Sequence, residues 1–199
     1  MRFRARSIAG LVIALFLLSG TALAAMNYKS TVTTAGPVAY YRVDESSGTN
    51  ANTVGGGFTG TYIGSPSKGQ SGLVHDGDQA VKFDGVNDAI TANSVANHTS
   101  WPGMTMEAWV EVTRSAPSAE EHIMNFSTSS GGHAPGLFHD NPTNKIKFAV
   151  GSSTSFALSN NPISSGTHYI VGTVGTDNVS RLYIDGVLQN QKGIISVRP

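Results

Sequence analysis

Six histidines, thirteen acidic residues and no cysteine bound the chemistry open to this 199-residue chain. His75, His98, His122, His133, His139 and His168 form neither a His-x-His nor a His-Glu-x-x-His pattern. The spacing therefore gives no zinc site, and scattered surface or turn histidines are the plainer reading. His133 and His139 share one long polar stretch with Asp140, which makes these three candidates for ligand contact. Without Cys and without Gly-x-Ser-x-Gly there is no thiolate and no elbow-mounted serine. Gly55-Gly56-Gly57 lacks the lysine and helix of a phosphate loop.

Two acids and two tryptophans need closer weighing. Glu107 and Glu111 fall i, i+4 on one strand face with Trp109 between them. At a rise of about 3.3 Å per residue they stand some 13 Å apart. Flanking a glycosidic bond needs roughly 5–9 Å, so they read as structural or solvent-facing. Calcium is the most plausible ion, through hard oxygens at Asp84, Asn87 and Asp88, or at Asp76 and Asp78. The competing reading is that these side chains cap turns through their own backbone. Trp101, before Pro102-Gly103, opens a strand and is the aromatic candidate for stacking on a sugar; Trp109, mid-strand, is expected in the core.

The elements that must carry these groups are strands. No sustained 3.6-residue apolar period occurs after the N-terminal segment, and only Ser118 to Met124 could hold a helical turn. Short alternating runs dominate: Val38–Val43, Ala80–Asp84, Met104–Val112, Lys145–Val150, Phe156–Leu158, His168–Val174 and Arg181–Ile184. In Met104–Val112, Met104, Met106, Ala108, Val110 and Val112 share one face, and Thr105, Glu107, Trp109 and Glu111 the other. Asp185-Gly186, between Leu182-Tyr183-Ile184 and Val187-Leu188, is a strong hairpin signal because both central residues need positive φ. Asp84-Gly85 is a similar signal in a longer loop. Gly is 23 of 199 residues, well above the usual share of about 7%. Many short strands with frequent turns predict an all-β sandwich or barrel. Ser46–Phe58 and Asn125–Asn144 read as long polar loops, the first places to seek a ligand.

The first 24 residues read as a cleavable secretory signal peptide. Arg2, Arg4 and Arg6 are the positive region, Ile8–Leu18 the apolar run, and Ala22-Leu23-Ala24 the small-residue site, with cleavage after Ala24. The run is well short of the ~20 residues that span a bilayer, so no membrane span is expected after cleavage. The expected organisation is 1–24 signal, 25–36 linker and 37–199 one domain, secreted or at the cell surface. Taking three arginines from the 13 Lys+Arg leaves ten bases against 13 acids in the mature part. That balance offers no footprint for nucleic acid. An exported domain without disulfides must fold on core packing alone, or with an ion or partner.

Several runs carry a family likeness. Tyr40-Tyr41-Arg42-Val43-Asp44-Glu45-Ser46-Ser47-Gly48 with Gly60-Thr61-Tyr62 resembles the opening of laminin G-like, concanavalin A-like jelly-roll domains of bacterial surface proteins. Ala80 to Asp88, Met104 to Val110, and His168–Val174 with Arg181–Val187 resemble their later signatures, in the same order. The resemblance spans residues 38 to 190 and implies an antiparallel two-sheet jelly-roll sandwich. It also implies a module that binds glycan, matrix or another surface, beside further domains of a longer protein. Pentraxins are a more distant likeness, and the position of their calcium pair falls within Ser127 to His133, which holds neither Asp nor Asn. Such domains continue past the Tyr-Ile-Asp-Gly-Val hairpin, so the chain is expected to lack C-terminal strands. Jelly-roll glucanases carry a Glu-x-Asp-x-Glu or Glu-x-Asp-x-x-Glu strand, absent here. Three readings follow. The first is an exported non-catalytic module for carbohydrate or another extracellular ligand. The second is a structural or adhesive module, and the third, least supported, a polysaccharide-degrading enzyme.

Overall fold

The alternation of Met104–Val112 is realised without a shift of register or bounds. In a computed structural model, which describes residues 28–74, 77–92, 102–113, 117–126, 135–150 and 156–193, this run is strand β6. Before it come helix α1 (Tyr28–Thr34) and strands β1 (Asn50–Ala51), β2 (Gly60–Ile63), β3 (Ser67–Ser71), β4 (Gln79–Lys82) and β5 (Ala89–Thr91). After it come β7 (Glu121–Asn125), β8 (Gly136–Asp140), β9 (Lys145–Ala149), β10 (Phe156–Leu158), β11 (Gly166–Val174), β12 (Val179–Ile184) and β13 (Val187–Gly193).

Two four-stranded antiparallel sheets dominate, ordered β13-β12-β11-β6 and β10-β9-β8-β7. They form a sandwich of the jelly-roll class. Between them Met106, Leu137, Ile146, Phe148, Val150, Ala157, Ile163, Ile170, Val174 and Leu182 form one buried cluster. The period of two sets this up: Ile170 and Val174 face in from β11, Leu182 from β12, and Ile146 and Phe148 from β9. Gly172 on β11 sits directly against the Phe148 ring, where a Cβ would meet Cδ2 at 2.3 Å. Only glycine fits that approach. A three-stranded β1-β2-β5 sheet and a β3-β4 hairpin make up the earlier part. There Ala51 and Tyr62 are buried, and Gly60 abuts Ile90, Ala51 and Tyr41.

The Asp185-Gly186 hairpin forms as its sequence demands, with φ of 52° and 78°. Asp185 also accepts the Tyr169 N–H at 2.8 Å and pairs with His168 Nδ1 at 2.8 Å, which fastens the β12–β13 turn to β11. Four expectations are corrected. Val38–Val43 makes only an isolated bridge, Tyr41 with Thr53, because Val43 takes φ of 58° and breaks the extended run. Ser118–Met124 is not a helical turn; Glu121–Asn125 pairs with β8 as an edge strand. The stretch Asn125–Asn144 is not all loop, since it contains β8, whose Gly136 to His139 are all buried. Cover on both faces removes the polar alternation by which a strand is recognised. Asp84-Gly85 does not join a hairpin, because β4 pairs with β3 and β5 with β2. The 25–36 stretch, expected as linker, contains α1. Among the described residues no helix is long and apolar enough to cross a membrane.

Candidate functional site

The alternation that buries Met106 turns its neighbours outward. Thr105, Glu107, Trp109 and Glu111 of β6 stand on the outer face of the β13-β12-β11-β6 sheet, level with Thr173, Val171, Tyr169 and Thr167 of β11. Trp109, expected in the core, is instead 37% exposed on this face. It is paired with Tyr169, and their rings stack with centroids 5.0 Å apart at 26°. Cross-strand aromatic pairs on one face are a main stabilising unit of antiparallel sheets, so the ring is held without being buried. Tyr28 of α1 meets Trp109 edge-on, 6.2 Å between centroids at 81°.

Hydrogen bonds fix this cluster. The Tyr169 hydroxyl donates to Glu107 Oε2 at 2.6 Å. The Tyr28 hydroxyl is bonded to the side chains of Trp109 and Tyr169, and the indole N–H can only donate. Burial, followed by the bond to Glu107 and its negative charge, pushes the Tyr169 phenol far above its ordinary value. Burial is also the first cause raising Tyr28. Both phenols are thus neutral donors at physiological pH, and Glu107 is held as an acceptor at the edge of a half-exposed aromatic surface. That arrangement suits a ring with one apolar face and hydroxyls at its rim.

The residues singled out from sequence fare differently. His139 is 5% exposed, its ring between Glu121 Oε2 at 3.3 Å and Asn144 Oδ1 at 2.8 Å. Asn144 in turn donates to the Ile163 carbonyl at 3.1 Å. His139 is therefore a buried structural tie beside the β8–β9 turn. Asp140 lies on the outer face of the second sheet, where Oδ2 accepts from Thr143 at 2.6 Å and Oδ1 is 3.6 Å from Lys147 Nζ. Lys147 also pairs with Glu120 and lies over the Phe138 and Phe156 rings, at 5.2 and 5.8 Å. Burial pushes the Lys147 ammonium below its ordinary value. That face satisfies its own charges. Trp101 and His133, and the Ala24 cleavage site, lie outside the described residues.

Of the acids proposed for calcium, Asp84 and Asp88 serve the chain itself, Asp78 pairs with Arg42, and Asp76 lies outside the described residues. Asp84 Oδ1 accepts the N–H groups of Val86 and Asn87 at 2.8 and 3.3 Å, and those bonds hold its carboxyl below the ordinary range. Asp88 Oδ1 accepts from Ser65 N at 2.8 Å, and its Oδ2 from Asp84 N at 3.1 Å. This is the geometry of a capped turn, the alternative to an ion site. Among the described residues no three His, Asp or Glu side chains gather as one. Glu107 and Glu111 share a strand face, and Glu107 is engaged by Tyr169.

Sequence reasoning missed Trp109, Tyr169 and Tyr28 as surface residues. The signal was present for the first: the alternation placed Trp109 opposite Met106 and Val110. A mid-strand tryptophan is ordinarily core, and that expectation prevailed over the period. A laminin G-type family model, described as the concanavalin A-like lectin/glucanases superfamily, matches residues 84–197, which include this sheet. No curated protein and no solved structure matches the chain.

Proposed function

The chain belongs to the concanavalin A-like lectin/glucanase superfamily through a laminin G-like domain, and from that premise we propose that it is an exported, non-catalytic module that binds carbohydrate. At the level of the family it is a binding module. The observation that carries the carbohydrate reading is the Trp109–Tyr169 stack, half-exposed on a sheet face with Glu107 fixed beside it. Aromatic faces take the C–H face of a sugar while flanking polar groups take its hydroxyls. Support for a non-catalytic role comes from the carboxylates. Glu107 and Glu111 are some 13 Å apart along one strand, beyond the roughly 5–9.5 Å of paired glycosidase acids. Support for export comes from Arg2, Arg4 and Arg6, the apolar Ile8–Leu18 and the Ala22-Leu23-Ala24 site.

The test is a glycan and polysaccharide array probed with the mature chain, once with calcium and once with a chelator. Trp109→Ala is run in parallel and checked for folding by circular dichroism. Binding to at least one polysaccharide, weakened at least about tenfold by the substitution, is expected of a central aromatic contact. Silence in both ionic conditions, or full binding by folded Trp109→Ala, refutes the assignment. N-terminal sequencing of the protein recovered from the medium should begin at Ala25.

A further inference from the structure

The polar rim of the Trp109–Tyr169 platform is already occupied by the chain itself. The Tyr28 hydroxyl takes the Trp109 indole N–H and meets the Tyr169 phenol. That phenol in turn gives its proton to Glu107 Oε2 at 2.6 Å. The Tyr28 ring meets Trp109 edge-on, with centroids 6.2 Å apart at 81°. A hydroxyl bonded at the polar rim, carried on a ring of C–H groups set against the indole, is the chemistry a pyranose offers to such a surface.

The element that brings Tyr28 there is weakly built. α1 has seven residues, three of them Thr and one Val, and none is buried. Isolated helices shorter than about 12–15 residues are marginal in water, and β-branched residues lower the propensity further. Thr33 and Thr34 turn their hydroxyls back to the carbonyls of Lys29 and Ser30, at 2.7 and 2.8 Å, rather than to the sheet. Gly36, with φ of 66°, then turns the chain out of the helix ahead of Pro37. Segments with few buried contacts open locally at little cost. Beneath α1, by contrast, β6 and β11 are paired over nine residues. The platform is firm and its cover is not.

Resting on the carbohydrate reading above, we infer that α1 is an intramolecular strap: Tyr28 holds the sugar position on Trp109–Tyr169 in the unbound chain, and a bound glycan displaces it. Binding then draws on the open population, so the apparent dissociation constant is the intrinsic one divided by the open fraction. A glycan that sets a hydroxyl against the indole N–H replaces the bond Tyr28 gives up. One that fits badly does not displace the strap, which makes α1 a threshold for affinity. The competing arrangement is Tyr28 as a fixed third wall of the site. A wall that orients a ligand is locked by packing to within a fraction of an ångström, and a helix with no buried residue lacks that mount.

The experiment probes an array of immobilised cello-, xylo-, laminari- and chitohexaose and their parent polysaccharides, at a series of protein concentrations. Mature parent, Tyr28→Ala and Tyr28→Phe are compared, each checked for folding by circular dichroism. Tyr28→Ala should bind at least one of these glycans about five- to tenfold more tightly than the parent, because one aromatic contact and its hydrogen bond no longer compete. Tyr28→Phe keeps the ring without the hydroxyl and should fall between. Hydrogen–deuterium exchange of the parent, with and without the best-bound hexaose, supplies the second readout. Amides of residues 28–34 should exchange faster in the complex, whereas a fixed wall would exchange more slowly. Weaker or equal binding by folded Tyr28→Ala, or slower exchange at 28–34 on binding, overturns the strap while the carbohydrate reading stands. Silence of the parent and Tyr28→Ala alike removes both.

Discussion

Gly172→Ala is expected to destabilise the domain, and the reason lies in one contact. In an extended strand without positive φ, exchanging glycine for alanine ordinarily stabilises by about 0.4–1 kcal/mol through the unfolded chain. At position 172 the new Cβ would lie 2.3 Å from Phe148 Cδ2, 2.4 Å from Cγ and 2.8 Å from Cε2. Phe148 is fully buried in the cluster that includes Ile146, Ile170 and Leu182, so its ring has no vacant side to move into. Overpacking of this kind costs about 1–3 kcal/mol. Set against the entropic gain, the net loss should be about 1–2 kcal/mol, or roughly 2–8 °C in Tm for a domain of this size. Urea denaturation followed by far-UV circular dichroism measures it. Phe148→Leu, costly by itself as a cavity, should relieve the clash. The double variant should therefore be more stable than the sum of the singles by at least about 1 kcal/mol. A stabilised Gly172→Ala protein, or strict additivity in the cycle, would refute the packing described for this joint.

Three further outcomes follow from the contacts. Tyr28→Ala should loosen α1 from the sheet, because that helix buries no residue and Tyr28 is its aromatic contact with Trp109; in a Trp101→Phe background, Trp109 emission should shift to the red and iodide quenching increase, and unchanged quenching would contradict the contact. His139→Ala should cost about 2–3 kcal/mol, since Glu121 and Asn144 lose a buried partner, yet leave the proposed glycan binding on the array unaltered. Glu45 sits below its ordinary 4.5: burial alone would raise it, but the Asn52 N–H and the Tyr62 hydroxyl bind the charged form more strongly. A depressed carboxyl contributes stability that is present above the unfolded value and lost as pH falls through the folded one. Urea midpoints below pH 4.5 should therefore decline less steeply in Glu45→Gln than in the parent, and parallel declines would remove Glu45 from the acid limb.

Much of the sandwich was legible because its strands bury one face only. β6 and β10 have the bounds that alternation predicts, and Asp185-Gly186 makes the hairpin its dipeptide requires. What escaped has physical causes. β8 is covered on both sides, so its residues carry no polar alternation. Val38–Val43 has strand-like residues, but Arg42 is drawn to Asp44 and Asp78, and Val43 turns the chain away from a ladder. α1 has no amphipathic stripe to detect; three of its seven residues are Thr and one is Val, poor helix formers, and its anchor is distant in sequence. The site was half legible. Its aromatic nature was anticipated at Trp101, but the ring now placed on the surface is Trp109, and its partner Tyr169 lies on a strand that only the β6–β11 register brings alongside. Long-range pairing of that kind leaves no local trace. His139 looked available because a buried histidine and a loop histidine are alike in sequence.

The β6–β11 register also bears on the order of assembly. β7 to β10 form successive hairpins, and so do β11 to β13, so both groups can pair through nearby chain. β6 reaches β11 only across the whole of the second sheet's sequence, and closure over that distance is slow relative to hairpin formation. The Trp109–Tyr169 stack straddles that seam. Newly made chain therefore has no Trp109–Tyr169 stack until its most distant strands meet, and the emission of Trp109 becomes a clock for the final step of folding.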